Sequence, residues 1–292
     1  MSWKNAPVST GLSTDNHGLV RPWERDRSFR LDGVAPSPRL RGVVDRHWIV
    51  RWDLRGRHPF RQEVLPHPSV NLVVEPHGAY VWGVPTQRDV RLLQDQGWAV
   101  GTKFKPGAFT AMTGIEAVSI TDGAISVQAA LGEGLHGGQP GVDEYGLRAV
   151  IAQVETLLEP RADVDDPSAT LVANVIQTMR DVGPDVRVEQ LAALHHVAPR
   201  TLQRLFRRYI GVGPKWALKR LRIHQAIEQL AGTNPGGWTE IALSLGYYDH
   251  AHFIRDFRLV VGRSPSEYVA EAARARVDQI SAPGRERASR AA

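Results

Sequence analysis

The chain has no cysteine in its 292 residues. That excludes a disulfide framework, a Cys-ligated zinc finger and a thiol nucleophile together. It also has no run of about 18 apolar residues, so no membrane span and no membrane partner is expected. The opening residues, Met1-Ser2-Trp3-Lys4-Asn5, lack the apolar core of a signal peptide, and a cytoplasmic protein is expected. Lysine is scarce too, at five of the 36 basic residues. An arginine bias of that kind follows from a GC-rich source genome alone, so it is not by itself a nucleic-acid signal.

What is present is ordinary for globular proteins: 42% apolar and 23% charged residues. A chain of 292 residues is long enough for two domains, each with its own core. The net charge of +5 is unevenly placed. Residues 1–181 hold 19 basic against 21 acidic side chains, whereas residues 182–276 hold 14 against 8. A near-neutral first part joined to a basic second part points to a polyanion as the partner of the second part only.

From about 40 to 125 the signals are those of strands and turns. Val43-Val44-Asp45-Arg46-His47-Trp48-Ile49-Val50, Val70-Asn71-Leu72-Val73-Val74, Ala79-Tyr80-Val81-Trp82-Gly83-Val84 and Trp98-Ala99-Val100-Gly101-Thr102-Lys103-Phe104 are short apolar runs separated by Gly and Pro. They predict a small antiparallel β domain. Residues 1–30 read as a loosely ordered entry. From about 142 the period changes: Leu147, Val150, Ile151, Val154, Leu157 and Leu158 recur at helical steps. That stripe suits either its own domain or a second copy of the chain. A second helix is predicted from near Ser168, with Leu171, Val172, Val175, Ile176 and Met179 on one face. The predicted organisation is a β-rich domain at 1–160, a linker at 161–167, a helical domain at 168–275 and a disordered tail at 276–292.

The helical part contains one pattern twice. Leu202-Gln203-Arg204-Leu205-Phe206 is followed by Gly211 and Pro214; Phe253-Ile254-Arg255-Asp256-Phe257 is followed by Gly262 and Pro265, all at an offset of 51. A short helical run precedes each copy. In the first, Leu191 and Leu194 are expected inward, the turn falls at 195–198, and Pro199 suits the first turn of the next helix. In the second, Thr239 is a candidate N-cap for the run to Leu245, and Asp249 for the helix after it. Pro214 to Ala231 reads as one helix joining the copies.

These segments resemble the DNA-binding domain of the AraC/XylS family of bacterial transcription regulators. The match runs over 168–270 and rests on Arg200-Thr201-Leu202-Gln203-Arg204-Leu205-Phe206, Gly211-Val212-Gly213-Pro214, Ile241-Ala242 with Gly246-Tyr247, Asp249-His250-Ala251-His252-Phe253, Gly262, Ser264-Pro265 and Tyr268. The resemblance implies two helix-turn-helix units joined by a long helix, each sending its second helix into the major groove. The implied base-contacting residues are Arg200, Gln203 and Arg204, then His250, Ala251, Ile254 and Arg255. Chemistry agrees, since Arg pairs bidentately with guanine and Gln with adenine, and an apolar side chain can meet a thymine methyl. Arg207, Arg208, Lys215, Lys219, Arg220 and Thr239 suit phosphates, which position without specifying. The family usually has Gly where this chain has His196. A non-Gly residue in left-handed geometry costs about 1–2 kcal/mol there. Gly101-Thr102-Lys103-Phe104-Lys105-Pro106-Gly107-Ala108-Phe109 resembles, more loosely, the sensory domains attached to some of these regulators.

The fold class expected is therefore α+β: a β-rich, small-barrel-like first domain and an all-α second domain with two helix-turn-helix units. The expected partner is double-stranded DNA at the bacterial nucleoid. The class also allows RNA polymerase, a small-molecule effector and homodimerisation. No cofactor is expected. No metal is expected either: His195-His196 and His250-x-His252 lack a completing carboxylate or cysteine, and His47, His58, His67 and His77 lack His-x-His spacing. Trp48, Trp52, Trp82 and Trp98 suit a core more often than a pocket, and Lys103 and Lys105 suit an acidic ligand or a guarded strand edge. The chain is not expected to be an enzyme. An alkyl-accepting repair enzyme needs the cysteine that is missing, and no clustered acid/base motif stands in its place. A coat protein without sequence preference fits poorly with the mixture of Gln, Arg and apolar side chains at the implied base-facing positions. A fragment 166–276 is expected to fold alone and bind DNA as a monomer. A soluble, helical fragment that binds no cognate site in a gel-shift titration would refute that boundary.

Overall fold

A computed structural model describes residues 18–25, 27–135, 144–181, 186–230, 237–247 and 249–281. The β-branched and aromatic runs form strands, and four further strands join them. In chain order they are β1 (Arg30–Val34), β2 (Val44–Asp53), β3 (Phe60–Val64), β4 (Asn71–Glu75), β5 (Gly78–Trp82), β6 (Asp89–Leu93), β7 (Gln96–Phe104) and β8 (Ala124–Ser126). Six make one antiparallel sheet in the order β1-β2-β7-β4-β5-β8, and β3 pairs with β6 separately. The expected small barrel is thus an open sheet with β1 and β8 at its edges. The β3–β6 pair packs beside its β1–β2 end.

Alternation along β2 sends its side chains to two cores. Ile49 lies in the core shared with the helices, while Trp48, Val50 and Trp52 pack toward Leu31, Leu54, Phe60 and Leu93 on the β3–β6 side. On the helical side lie α1 (Ala108–Thr113), α2 (Val127–Leu131) and α3 (Glu144–Leu158). All six apolar residues of the α3 stripe are buried in the same core as Leu72, Val81 and Val100 of the sheet. The stripe is therefore used within the first domain, not left open for a second copy.

The entry segment differs from its expectation. Leu19, Val20 and Phe29 are buried, and the Trp23 ring sits 5.2 Å from that of Tyr268. Residues 1–17 lie outside the described residues. The polar look of this segment hid three apolar anchors spaced among Gly and Pro.

The helical region comprises α4 (Pro167–Asp181), α5 (Val188–Leu194), α6 (Pro199–Ile210), α7 (Pro214–Leu230), α8 (Trp238–Ser244), α9 (His250–Val261) and α10 (Pro265–Ser281). Asp166 starts α4, its Oδ1 accepting from the amides of Ser168 and Ala169 at 2.9 and 3.1 Å. Its Oδ2 accepts from the Tyr209 hydroxyl at 2.8 Å, tying α4 to the end of α6. Helix α10 runs past the expected tail boundary at 276, and residues 282–292 lie outside the described residues. A capping box holds its start: Glu267 accepts from the Ser264 amide at 2.6 Å, and Ser264 Oγ accepts from the Glu267 amide at 3.2 Å. Tyr268, Val269, Ala272 and Ala275 then bury one face.

Two cores divide these helices. Val172, Val175 and Ile176 of α4, Leu191 of α5, Leu202 and Phe206 of α6, and Ala217, Leu218 and Leu221 of α7 make the first. Ile223, Ile227 and Leu230 of α7, Ala242 of α8, Phe253 and Phe257 of α9 and Tyr268 of α10 make the second. Each core also takes in residues of the β-rich part: Val84 in the first, and Val20 and Leu65 in the second. Phe206 and Phe257 are fully buried, one in each. Phe206→Ala and Phe257→Ala are each expected to cost about 3–5 kcal/mol, read from the urea midpoint at constant slope.

Candidate nucleic-acid interface

The two short helix pairs share a turn geometry that their hydrogen bonds define. After α5, the amides of His195, His196 and Val197 donate to the carbonyls of Leu191, Ala193 and Ala192. After α8, Leu245, Gly246 and Tyr247 donate to Ile241, Leu243 and Ala242. These pairs correspond at an offset of 50, while the second helices correspond at 51: Leu202 donates to Ala198 as Phe253 does to Asp249. The second turn is one residue longer. His196 takes φ 54°, the left-handed conformation that Gly246 takes at 73°. Gly211 and Gly262, at φ 94° and 85°, end the two second helices. Only glycine takes that geometry without a Cβ penalty, which explains why the glycine recurs.

Pro199 opens α6 at its first turn, and Asp249 caps α9, accepting from the Ala251 amide at 2.8 Å. The α6 side chains Leu202, Phe206, Tyr209 and Ile210 point inward. Arg200, Gln203, Arg204 and Arg207 are left exposed on the outer side. On α9, His250, Ala251 and Arg255 are exposed and Ile254 is half-buried. The His250 ring stands edge-on to Trp238 at 5.8 Å. Each set recurs at four-residue steps, so each forms one strip along its helix.

Several placements differ from the sequence reading. Leu194 is 57% exposed, because the seven-residue α5 buries Leu191 and Ala192 and turns Leu194 outward. Thr239 lies inside the first turn of α8, whose N-cap is Gly237, so it is not the cap. Arg220 is only 5% exposed. Its Nη2 donates to the Thr86 carbonyl at 3.0 Å, and its guanidinium lies 4.5 Å from the Trp216 ring. Burial draws its pKa down to about 10, so it stays charged at neutral pH yet faces protein. Lys219 Nζ lies 2.6 Å from Asp256 Oδ1, which links α7 to α9. Arg208 lies 3.8 Å from Glu116 on the rim toward the first domain. Lys215 is exposed.

The sequence reading missed Asp256. Its carboxylate is buried beside Lys219, with His252 Nε2 at 3.3 Å and the Tyr247 hydroxyl at 3.5 Å. Burial, then the charge of Asp256, pushes the Tyr247 phenol up, so it remains a donor. The available signal was an acidic residue on the same helical face as Phe253, Phe257 and Val260.

The reading also missed a knot where the first domain meets the second. The Thr86 amide and hydroxyl donate to the Asp122 carboxylate at 2.6 and 2.7 Å. From this knot, the Thr86 carbonyl holds Arg220 of α7, and the Thr121 hydroxyl donates to the Gly211 carbonyl at 3.0 Å, at the end of α6. Arg88 Nη1 reaches the Val261 carbonyl at 3.5 Å, at the end of α9. Below it, Arg263 bridges Glu63 and Glu271, both at 2.5 Å.

Two helix-turn-helix units built on one connecting helix define a double helix-turn-helix module. Residues 191–271 match the family described as Helix-turn-helix domain, and residues 32–126 match a domain of unknown function, DUF6597. An uncharacterized HTH-type transcriptional regulator from Haemophilus influenzae is 33% identical over 84 residues, 29% of this chain and 28% of that protein. The chain thus spans less than a third of the length of this curated relative. The DNA-binding domain of AdpA, solved in complex with a target DNA, is 32% identical over 39% of this chain and 99% of that one, with a TM-score of 0.33. ToxT from Vibrio cholerae is 12% identical over 83% of this chain and 98% of that one, with a TM-score of 0.37. Among the described residues no helix is long and apolar enough to cross a membrane.

Asp256 generates a test of the module's internal brace. Asp256→Ala strands the buried Tyr247 hydroxyl and removes the partner of the half-exposed Lys219 ammonium. A loss of about 1–3 kcal/mol is expected at pH 7 in urea unfolding. An unchanged midpoint would show the brace to be unimportant.

Proposed function

We propose that this protein is a sequence-specific double-stranded DNA-binding transcription regulator whose α6 and α9 read two successive major-groove segments. The observation that carries the reading is the repeated geometry itself: two second helices, each ended by the same left-handed glycine, each with an exposed arginine on its outer strip. Arg200, Gln203 and Arg204 would meet base edges in one segment, and His250, Ala251, Ile254 and Arg255 in the other. The helices would enter the groove about one DNA turn apart, near 34 Å. Arg207 and Lys215, both exposed, suit the phosphates beside them, and Arg208 suits the rim. The buried Arg220 is assigned to the protein interior instead, and the half-exposed Lys219 to its pair with Asp256.

The domain organisation supports control through the first domain. A knot that touches α6, α7 and α9 gives any change in the β-rich part a direct route to both second helices. A small-molecule effector, a second copy of the chain and RNA polymerase are the inputs and outputs this class uses.

The test is a binding-site selection on the wild type and four variants. Arg204→Ala and Arg255→Ala should each lose about 1–3 kcal/mol and relax preference in separate segments. Arg207→Ala should weaken all sequences alike and lower the salt slope by about 1, whereas Arg220→Met should leave that slope unchanged. If Arg204→Ala and Arg255→Ala altered the same base pairs, or neither altered selectivity, the two-segment reading would be wrong.

A further inference from the structure

His67 and His224 stack face to face across the contact between the two domains. Their ring centroids are 3.8 Å apart and their planes 19° from parallel. His67 lies in the segment joining β3 to β4, and His224 lies on α7. The His224 Nε2 is 3.1 Å from the Pro66 carbonyl, which fixes Nε2 as the protonated nitrogen because a carbonyl only accepts. His67 is half-buried as a residue, and both its ring nitrogens are shielded from solvent. Neither has a hydrogen-bond partner among the described residues. Leu65 of the same segment is buried in the second helical core. The stack is therefore part of the surface that docks the domains.

The surroundings of His67 disfavour a positive charge. The charged groups that reach it are His224 of α7, Lys103 of β7, Arg46 of β2 and Arg180 of α4, all of them bases. The carboxylate beside Lys103 and Arg46 is Asp45, at 3.2 and 3.7 Å from them. Desolvation acts in the same direction and more strongly, holding His67 well below the ordinary histidine value.

We propose that the stacked His67–His224 pair is an acid-sensitive latch, closed while both rings are neutral and opened when protonation places a cation against its partner ring and the surrounding bases. This device concerns docking of the two domains and stands whether or not the DNA reading is correct. The sign follows from linkage. The docked state resists the proton that the undocked state accepts near pH 6.5, so docking is fully present above that value. As pH falls below it, docking weakens by about tenfold per unit for one such histidine, until the docked-state value is reached.

The absence of cysteine supplies a clean probe. Val84 is fully buried and belongs to the first domain, yet it sits in the first helical core. A single Val84→Cys substitution in the full chain creates a thiol that reacts when the domains part. Its rate with dithiodipyridine is divided by the rate in the denatured chain at the same pH, and circular dichroism checks that the fold is intact. The normalised rate is expected to rise about fivefold from pH 6.5 to pH 5.5. Adding His67→Phe should flatten that rise, because a phenyl ring accepts a His224 cation over its face. Adding His67→Arg should raise the rate at pH 7.5 already. A flat profile in the Val84→Cys chain, or an equal rise with His67→Phe, would overturn the proposal.

Discussion

Helix α7 is buried by three neighbours at once, and the placement of everything around it follows from that. Ala217, Leu218 and Leu221 belong to the first helix-turn-helix core, and Ile223, Ile227 and Leu230 to the second. Arg220 and His224 meet the β-rich domain through the carbonyls of Thr86 and Pro66. An amphipathic helix with one apolar stripe fixes one partner. A helix buried nearly all round fixes the relative pose of three, because none can rotate without disturbing the packing of another.

That arrangement explains which features were legible in the sequence. The α3 and α4 stripes, the central strands, the Pro199 start and the Asp249 cap each depend on local periodicity or on one side chain beside its own backbone. The repeat was legible because each unit needs the same inward residues and the same left-handed glycine. The edge strands β1, β3, β6 and β8 were not. Phe60-Arg61-Gln62-Glu63-Val64 and Asp89-Val90-Arg91-Leu92-Leu93 are each interrupted by charged residues, and they hold as strands because each pairs with the other near Trp48 and Trp52.

The candidate site divides the same way. Exposed strips on α6 and α9 follow from the inward positions of Leu202, Phe206, Phe253 and Phe257. On α7, where Lys219 and Arg220 looked like a basic flank, both side chains have protein partners, while Lys215 is exposed. A flank reading assumes that a charged side chain off the apolar stripe faces water. Here Asp256 and the Thr86 carbonyl supply buried counterparts from segments 37 and 134 residues away. Their partners lie on other elements, so no local pattern in α7 could reveal them. Asp256 is the complementary case: a carboxylate inside an aromatic face is costly alone, and Lys219, His252 and Tyr247 make it tolerable.

The Thr86–Asp122 knot has a mechanical consequence. The last carbonyls of α6 and α9 are distant in sequence and belong to different cores, yet both ends rest on residues 84–122 of the first domain. Two levers pivoting on one fulcrum cannot be adjusted separately from below. A shift of the knot moves both helix ends together, while a change within one core moves a single lever. A substitution near Asp122 therefore bears on both helix ends, whereas one near Asp256 bears on the second core alone.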